Sequence, residues 1–279
     1  MRRLIVNADD FGLTAGVNRG IIELNAAGLV TSSTLMARAG ATDAALDAAR
    51  NAPLLGAGCH VVLVDGEPVL PPSQIPTLVD RRTGQFPDSI RSFLARLLSG
   101  RTRAEEIEAE ARAQIEFLQS RGLRLAHVDT HKHTHMFPAV LRAVLRAARS
   151  ANIRAVRNPF EPEWAVRATA GAPLARVAQV TLLRWLQPIW QRIIAEEGFK
   201  TTDGTIAVAG TGILNAATLR ALLTELPGGT WELVTHPGYN DADLDKVHTR
   251  LRGSRDVERD ALAVLKEFPD IEPISFGDL

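Results

Sequence analysis

The sequence predicts an α/β fold, a distorted (β/α) TIM-like barrel that makes residues 1–279 a single domain with a helical insertion at 161–195. Three observations lead there. Seven short runs rich in β-branched and apolar residues recur, helical patterns lie between most of them, and the length suits the roughly 250 residues of one such barrel. Strand and helix in alternation call for a parallel sheet with right-handed crossovers. Seven or eight strands favour a closed barrel over an open sheet.

In chain order, RLIVNA at 3–8 reads as the first strand and is followed by a helical pattern over 16–27. TSSTLM at 31–36, a helix at 41–50 and AGCHVVLV at 57–64 come next. The proline-rich GEPVLPPSQIP at 66–76 has the composition of a loop over one end. A Glu-rich helix spans 103–120, LAHVDTH at 125–131 a strand, 138–150 a helix and IRAVRN at 153–158 a strand. Residues 161–195 break the rhythm, carrying Trp164, Trp185 and Trp190 with Arg176, Arg184 and Arg192 on helical patterning. Two readings stand open there, amphipathic helices with tryptophan packed inward or a flap that docks substrate or a membrane surface. TIAVA at 205–209, a helix at 215–226 capped by Asn215, WELVTH at 231–236 and a helix at 253–267 complete the series.

Hydrophobic residues at 46% and charged residues at 23% exclude a disordered tail, a collagen-like chain and a coiled coil. Thirty-two basic side chains balance 32 acidic ones, so no net field draws the molecule to nucleic acid or an anionic membrane. Cys59, the single cysteine, has no internal disulfide partner and reads as a small buried hydrophobe on the strand face opposite His60. Only a three-residue apolar run precedes Asn7, and no stretch approaches the roughly 18 of a membrane span. These features predict a reduced, cytoplasmic protein with no nucleic-acid partner and no transmembrane span. Gly12, Gly16 and Gly20 have the wrong spacing for a dinucleotide fingerprint, VAGTGILN at 208–215 lacks a phosphate-loop lysine, and there is no GxSxG elbow. No nucleotide cofactor is expected.

In a barrel, chemistry sits where strands end. Asp9 and Asp10 end the first strand, His60 lies in the third, and His236 ends WELVTH before Pro237. Read with a period of two, His127, Asp129 and His131 project to one side as an inward polar stripe. Imidazoles with a carboxylate favour Zn²⁺, with Mg²⁺ the harder, oxygen-preferring alternative. His133 and His135 fall past the strand, where capping, support of other side chains or substrate contact are their expected roles. His248 reads as a solvated residue. Asp9 and Asp10 are either a metal ligand beside a general base or two solvated turn residues, and both converge only if the chain turns between them.

As an ordered set, NADDFGL at 7–13, GCHVVL at 58–63, HVDTHKHTHMFP at 127–138 and THPG at 235–238 resemble the YdjC-like carbohydrate deacetylases, the family of the chitooligosaccharide deacetylases. The likeness implies a distorted barrel, metal ligation by Asp10, His60 and His131, and catalysis by Asp9 and His236. Arg157 in VRNP resembles an arginine beside the family's site, and together with His133 is the expected substrate contact; Lys132 stands where relatives carry His or Gln. The implied reaction is metal-assisted removal of an N-acetyl group from an N-acetylglucosamine-containing substrate, with Asp9 as base and His236 as acid. The late region, VAGTG followed by LPGGTWELVTHPG, resembles the branch associated with hopanoid biosynthesis, which implies an acetylglucosaminyl lipid and a peripheral membrane contact for 161–195; separately, charge neutrality and the apolar insert suggest a homodimer. The alternatives are a soluble chitooligosaccharide or other amino-sugar deacetylase, another metallohydrolase such as a phosphoesterase, and a sugar- or lipid-binding protein without chemistry.

Overall fold

Strand β1 (Arg2–Phe11) is the spine of the sheet, because three other strands pair with it in parallel. A computed structural model describes residues 1–279. Along the sheet the order is β5 (Ala155–Val156), β4 (His127–Thr130), β3 (Gly56–Val61), β2 (Ser32–Leu35), β1, β7 (Gly229–Thr235) and β6 (Gly204–Ile206); β8 (Ile271–Ile274) joins the first half of β1. Every pairing is parallel, as the alternation predicts. β5 and β6 do not form a ladder with one another. A single bridge from Ala155 to Lys200, with Asn158 Nδ2 donating to Thr202 O, spans the gap. β5 is only two residues long, and Pro159, which lacks an N–H, cannot carry the ladder further. The result is a parallel half-barrel, consistent with a distorted barrel.

The helices fall close to their predicted places: α1 (Ala15–Ala26), α2 (Thr42–Arg50), α4 (Ala104–Ser120), α5 (Pro138–Ser150), α9 (Ala216–Glu225) and α10 (Arg255–Ala261), the last flanked by 3₁₀ turns. Asn215 caps α9 as expected, its Oδ1 accepting from Ala217 N and Thr218 N. Helix α3 (Ile90–Leu98) and strand β8 were not foreseen. The 161–195 segment is helical, as α6 (Glu163–Ala168), α7 (Leu174–Leu183), a 3₁₀ turn at Arg184–Leu186 and α8 (Gln187–Glu197).

The predicted loop at 66–76 belongs to a longer stretch without helix or strand, from 62 to 89. Helix α4 pins it. Glu110 accepts from Val69 N and Leu70 N, Glu106 accepts from Thr77 N, and the Gln114 amide bonds both the N–H and the C=O of Val62. Buried carboxylates and an amide satisfy backbone groups that no strand reaches. The Glu-rich character of this helix therefore anchors a wall of the cavity above the strands.

Candidate active site

The site is built at the carboxyl ends of β1, β3, β4 and β7. Between Ala8 and Phe11 the register of β1 against β2 slips, three steps on β1 matching two on β2. That bulge puts Asp10 at φ 66°, a left-handed conformation that Asp tolerates better than most residues. It supplies the turn that the pair requires: Asp9 and Asp10 are both buried and both face one cavity of about 1830 Å³.

Asp10, His60 and His131 meet there. His60 Nε2 lies 3.2 Å from His131 Nδ1 and 3.8 Å from Asp10 Oδ1, and His131 Nδ1 lies 3.5 Å from Asp10 Oδ1. On the other side of its ring, His60 Nδ1 is 2.7 Å from Asp129 Oδ1. A carboxylate there fixes the ring and favours Nδ1–H, which leaves Nε2 as the electron-pair donor. The inward stripe on β4 is thus divided by depth. His131 reaches the cavity in a turn where Lys132 and His133 adopt positive φ, Asp129 backs His60, and His127 lies deeper. The His127 ring covers Gly58, where a Cβ would sit 2.4 Å from it, and stacks on Phe276 at 3.8 Å. Both its nitrogens lack partners, and burial pushes its pKa down to about 3, so it is a neutral core residue.

Beneath this set lies Arg157, with no exposed surface. Its Nη1 and Nη2 donate to the two Asp9 oxygens at 2.8 and 2.6 Å, its Nε donates to Glu232 Oε1 at 2.7 Å, and Asp129 Oδ2 lies 2.5 Å from Nη1. The guanidinium does not border the cavity. Its expected position beside the site is observed, but the side chain is spent on carboxylates below the cavity floor. His133 does line the cavity, with its Nδ1 enclosed and unpartnered. His135 is structural: Nδ1 pairs with Thr130 Oγ1 at 2.8 Å and Nε2 with Arg157 O at 3.1 Å.

His236 closes the opposite side. Its Nε2 is 3.8 Å from Asp9 Oδ2 and its Nδ1 is 3.7 Å from Glu258 Oε2, while its backbone N–H donates to that same oxygen at 2.7 Å. Arg255, also fully buried, donates from Nη2 to Asp10 Oδ2 at 2.6 Å. Cys59 faces the core and His248 is exposed, both as predicted. Glu232, Arg255 and Glu258 were not singled out from sequence. Glu232 interrupts an apolar strand, which was a readable signal; Arg255 and Glu258 sit on a short helix where charge ordinarily means solvent.

Electrostatics follow from burial. For Asp9 burial pushes upward, yet Arg157, His60 and His236 outweigh it and hold the carboxyl well below the usual carboxylate range. Asp10 is likewise held down, burial losing to Arg255 and His131. At Glu232 burial wins and the carboxyl is pushed up to about 7. His60 is pushed up to about 9, burial losing to Asp129 and the other carboxylates, and His236 is raised by Glu258, Asp9 and Asp10 against its burial. Five buried carboxylates (Asp9, Asp10, Asp129, Glu232, Glu258) face only two buried guanidiniums. Partial protonation of Glu232 relieves some of the excess.

The family described as YdjC-like protein matches residues 3–266. A carbohydrate deacetylase of Thermoanaerobacter pseudethanolicus is 29% identical over 94% of this chain and 91% of its own length. The chitooligosaccharide deacetylase of Escherichia fergusonii is 40% identical over 51% of this chain and 54% of its own length. Among solved structures, a candidate cellobiose-phosphate cleavage protein of Enterococcus faecalis superposes with a TM-score of 0.76 at 25% identity, covering 99% of this chain and 98% of that one. The family match runs from β1 through α10 and takes in every site residue described above; the chain belongs to the YdjC-like protein family.

Proposed function

We propose that this protein is a metal-dependent N-deacetylase of N-acetylglucosamine-type sugars. The observation that carries the reading is the triangle of Asp10, His60 and His131 facing Asp9 and His236 across one cavity. Donors held at about 2.0–2.2 Å from a tetrahedral ion lie roughly 3.3–3.5 Å apart, close to the triangle's edges of 3.2, 3.5 and 3.8 Å. The excess of carboxylates over guanidiniums favours a cation at the same place. One carboxylate and two imidazoles favour Zn²⁺ over Mg²⁺.

A dication bound there supplies Lewis acidity, making water more acidic and polarising the acetamide carbonyl. Asp9, ionised and clamped by Arg157, takes the proton of the attacking water. His236, whose protonated form Glu258 favours, delivers a proton to the departing amine. Water adds to the carbonyl carbon, the C–N bond breaks, and acetate and a free amino sugar leave. His133, on the cavity wall, is placed to contact the sugar, while Arg157 acts by orienting Asp9.

The finer reading is a lipid-linked substrate, an acetylglucosaminyl hopanoid or similar glycolipid. Its support is the cavity, which exceeds the roughly 300–1,000 Å³ of ordinary small-molecule sites and has apolar lining from Leu94, Phe117, Phe137, Val180 and Leu183. Acetate release from chitobiose and from a lipid-linked N-acetylglucosaminide, with stripped protein and with added Zn²⁺ or Mg²⁺, tests both levels. Metal-dependent release is expected, with the lipid-linked substrate preferred. Release from neither, with one equivalent of metal bound, sinks the deacetylase reading; release from chitobiose alone sinks the lipid one.

His236 also carries a pH prediction. Glu258 raises its pKa, and a general acid works only while protonated, so activity falls as pH rises through that pKa. In Glu258→Gln the alkaline limb of kcat/KM moves to lower pH. A pH profile with an unmoved alkaline limb removes Glu258 from this role.

A further inference from the structure

We propose that the outer face of α7, the 184–186 turn and α8 docks this protein on an anionic lipid surface. Charge and apolar exposure coincide there. Residues 164–195 carry four arginines and no Asp or Glu, in a chain whose acids and bases balance overall; Arg167 pairs with Glu163 and Arg176 lines the cavity, which leaves Arg184 and Arg192 for the outer face. Within that stretch Leu174 is 87% exposed, Leu182 68%, Trp185 81% and Ile189 48%. Spacings of eight, three and four residues keep these four on one side of the nearly continuous helical run.

The tryptophans separate the two purposes of the segment. Trp190 is fully buried against Phe160, and Trp164 packs edge-on to Trp231 at 5.4 Å, so both serve the core. Trp185 packs on neither and faces outward. An exposed Trp among leucines, flanked by arginines and free of acids, is the composition of an interfacial helix whose apolar side chains enter the headgroup boundary while the guanidiniums meet anionic lipid. The same helix α7 lines the cavity through Arg176, Gln179, Val180, Leu182 and Leu183, so Leu182 stands on the rim between the cavity and the outer face. Docking therefore sets the cavity mouth beside the bilayer.

A second copy of this chain fits the patch less well. A two-fold contact would bring Arg184 and Arg192 toward their own counterparts with no acid from the segment to pair them. The next acids, Glu196 and Glu197, are already engaged by Arg142 and Arg149. Nor does the inference depend on the reaction, because binding is measured without substrate and survives a failed deacetylase assay.

The test is flotation of the full chain with phosphatidylcholine vesicles, with and without phosphatidylglycerol, at low and high salt. Binding is expected only with the anionic lipid, weakening as salt rises. Each arginine at the surface contributes about fivefold in partitioning, so Arg184→Glu with Arg192→Glu should lower it at least about 25-fold. Leu174→Ser with Trp185→Ser should lower it as well and abolish any vesicle-induced blue shift of tryptophan fluorescence. All four side chains are exposed or outside the core, and the circular dichroism of both variants should match the parent. No partitioning at low salt, or partitioning that both variants retain in full, overturns the proposal. A concentration-dependent dimer in solution that the serine variants abolish would assign the patch to a second copy instead.

Discussion

Asp9→Asn is expected to lower kcat by about 10²- to 10⁴-fold while leaving metal stoichiometry and KM near their original values. The substitution preserves shape and removes the cavity carboxylate that lies 3.8 Å from His236 Nε2. Asp9 lies outside the Asp10, His60 and His131 triangle, so a role as base predicts intact metal binding. The Asn Oδ1 can keep the contacts now made to Asp9 Oδ1 by Arg157 Nη2 at 2.6 Å and Asn7 Nδ2 at 2.8 Å. Its amide nitrogen would then face Arg157 Nη1, trading a charge-assisted bond for two donors. A modest loss of thermal stability is therefore part of the expectation. Metal titration and steady-state kinetics on one preparation decide the matter. Unchanged turnover removes Asp9 as base. Loss of metal together with turnover moves it among the ligands, in the alternative group of Asp9, His60 and Asp129.

The parts of this candidate site that depend on local pattern are legible in the sequence. Period-two reading found Asp129 and His131, and the resemblance found Asp10, His60 and His236. Missing from it was depth. His127, Asp129 and His131 share a face, but one lies under Phe276, one behind His60 and one at the cavity, and strand periodicity does not encode that ranking. The convergence of Asp9 and Asp10 rests on a bulge, and a bulge depends on how a neighbouring strand pairs. Arg255 reaches Asp10 across 245 residues of chain, a contact that no local window contains. In the fold, the parallel alternation and most helices were legible, whereas β8 was not, since its EP centre reads as a turn and only pairing with β1 makes it a strand.

Arg157→Met is expected to carry a large stability cost. The guanidinium is fully buried and touches Asp9, Asp129 and Glu232 at 2.5–2.8 Å. Methionine fills much of the volume and none of the charge. Removing one partner from a buried ionic cluster costs about 3–5 kcal/mol, because the carboxylates left behind are neither solvated nor paired. For a chain of this size that corresponds to a Tm lower by roughly 10 °C. The pH dependence distinguishes lost charge from lost packing. In the parent, Arg157 holds Asp9 below its unfolded pKa, so this group stabilises above the unfolded value and loses that contribution as pH falls. In the variant the orphaned carboxylates shift upward, as Glu232 already does at about 7, and their cost grows as pH rises through those values. The Tm gap between parent and variant should therefore be widest at pH 8 and narrow toward pH 5. Arg157→Lys, which keeps the charge and loses the two-pronged grip, should fall between them. A gap that is constant across this range would mean that Arg157 matters by filling space, and the electrostatic account of the cluster would have to be abandoned.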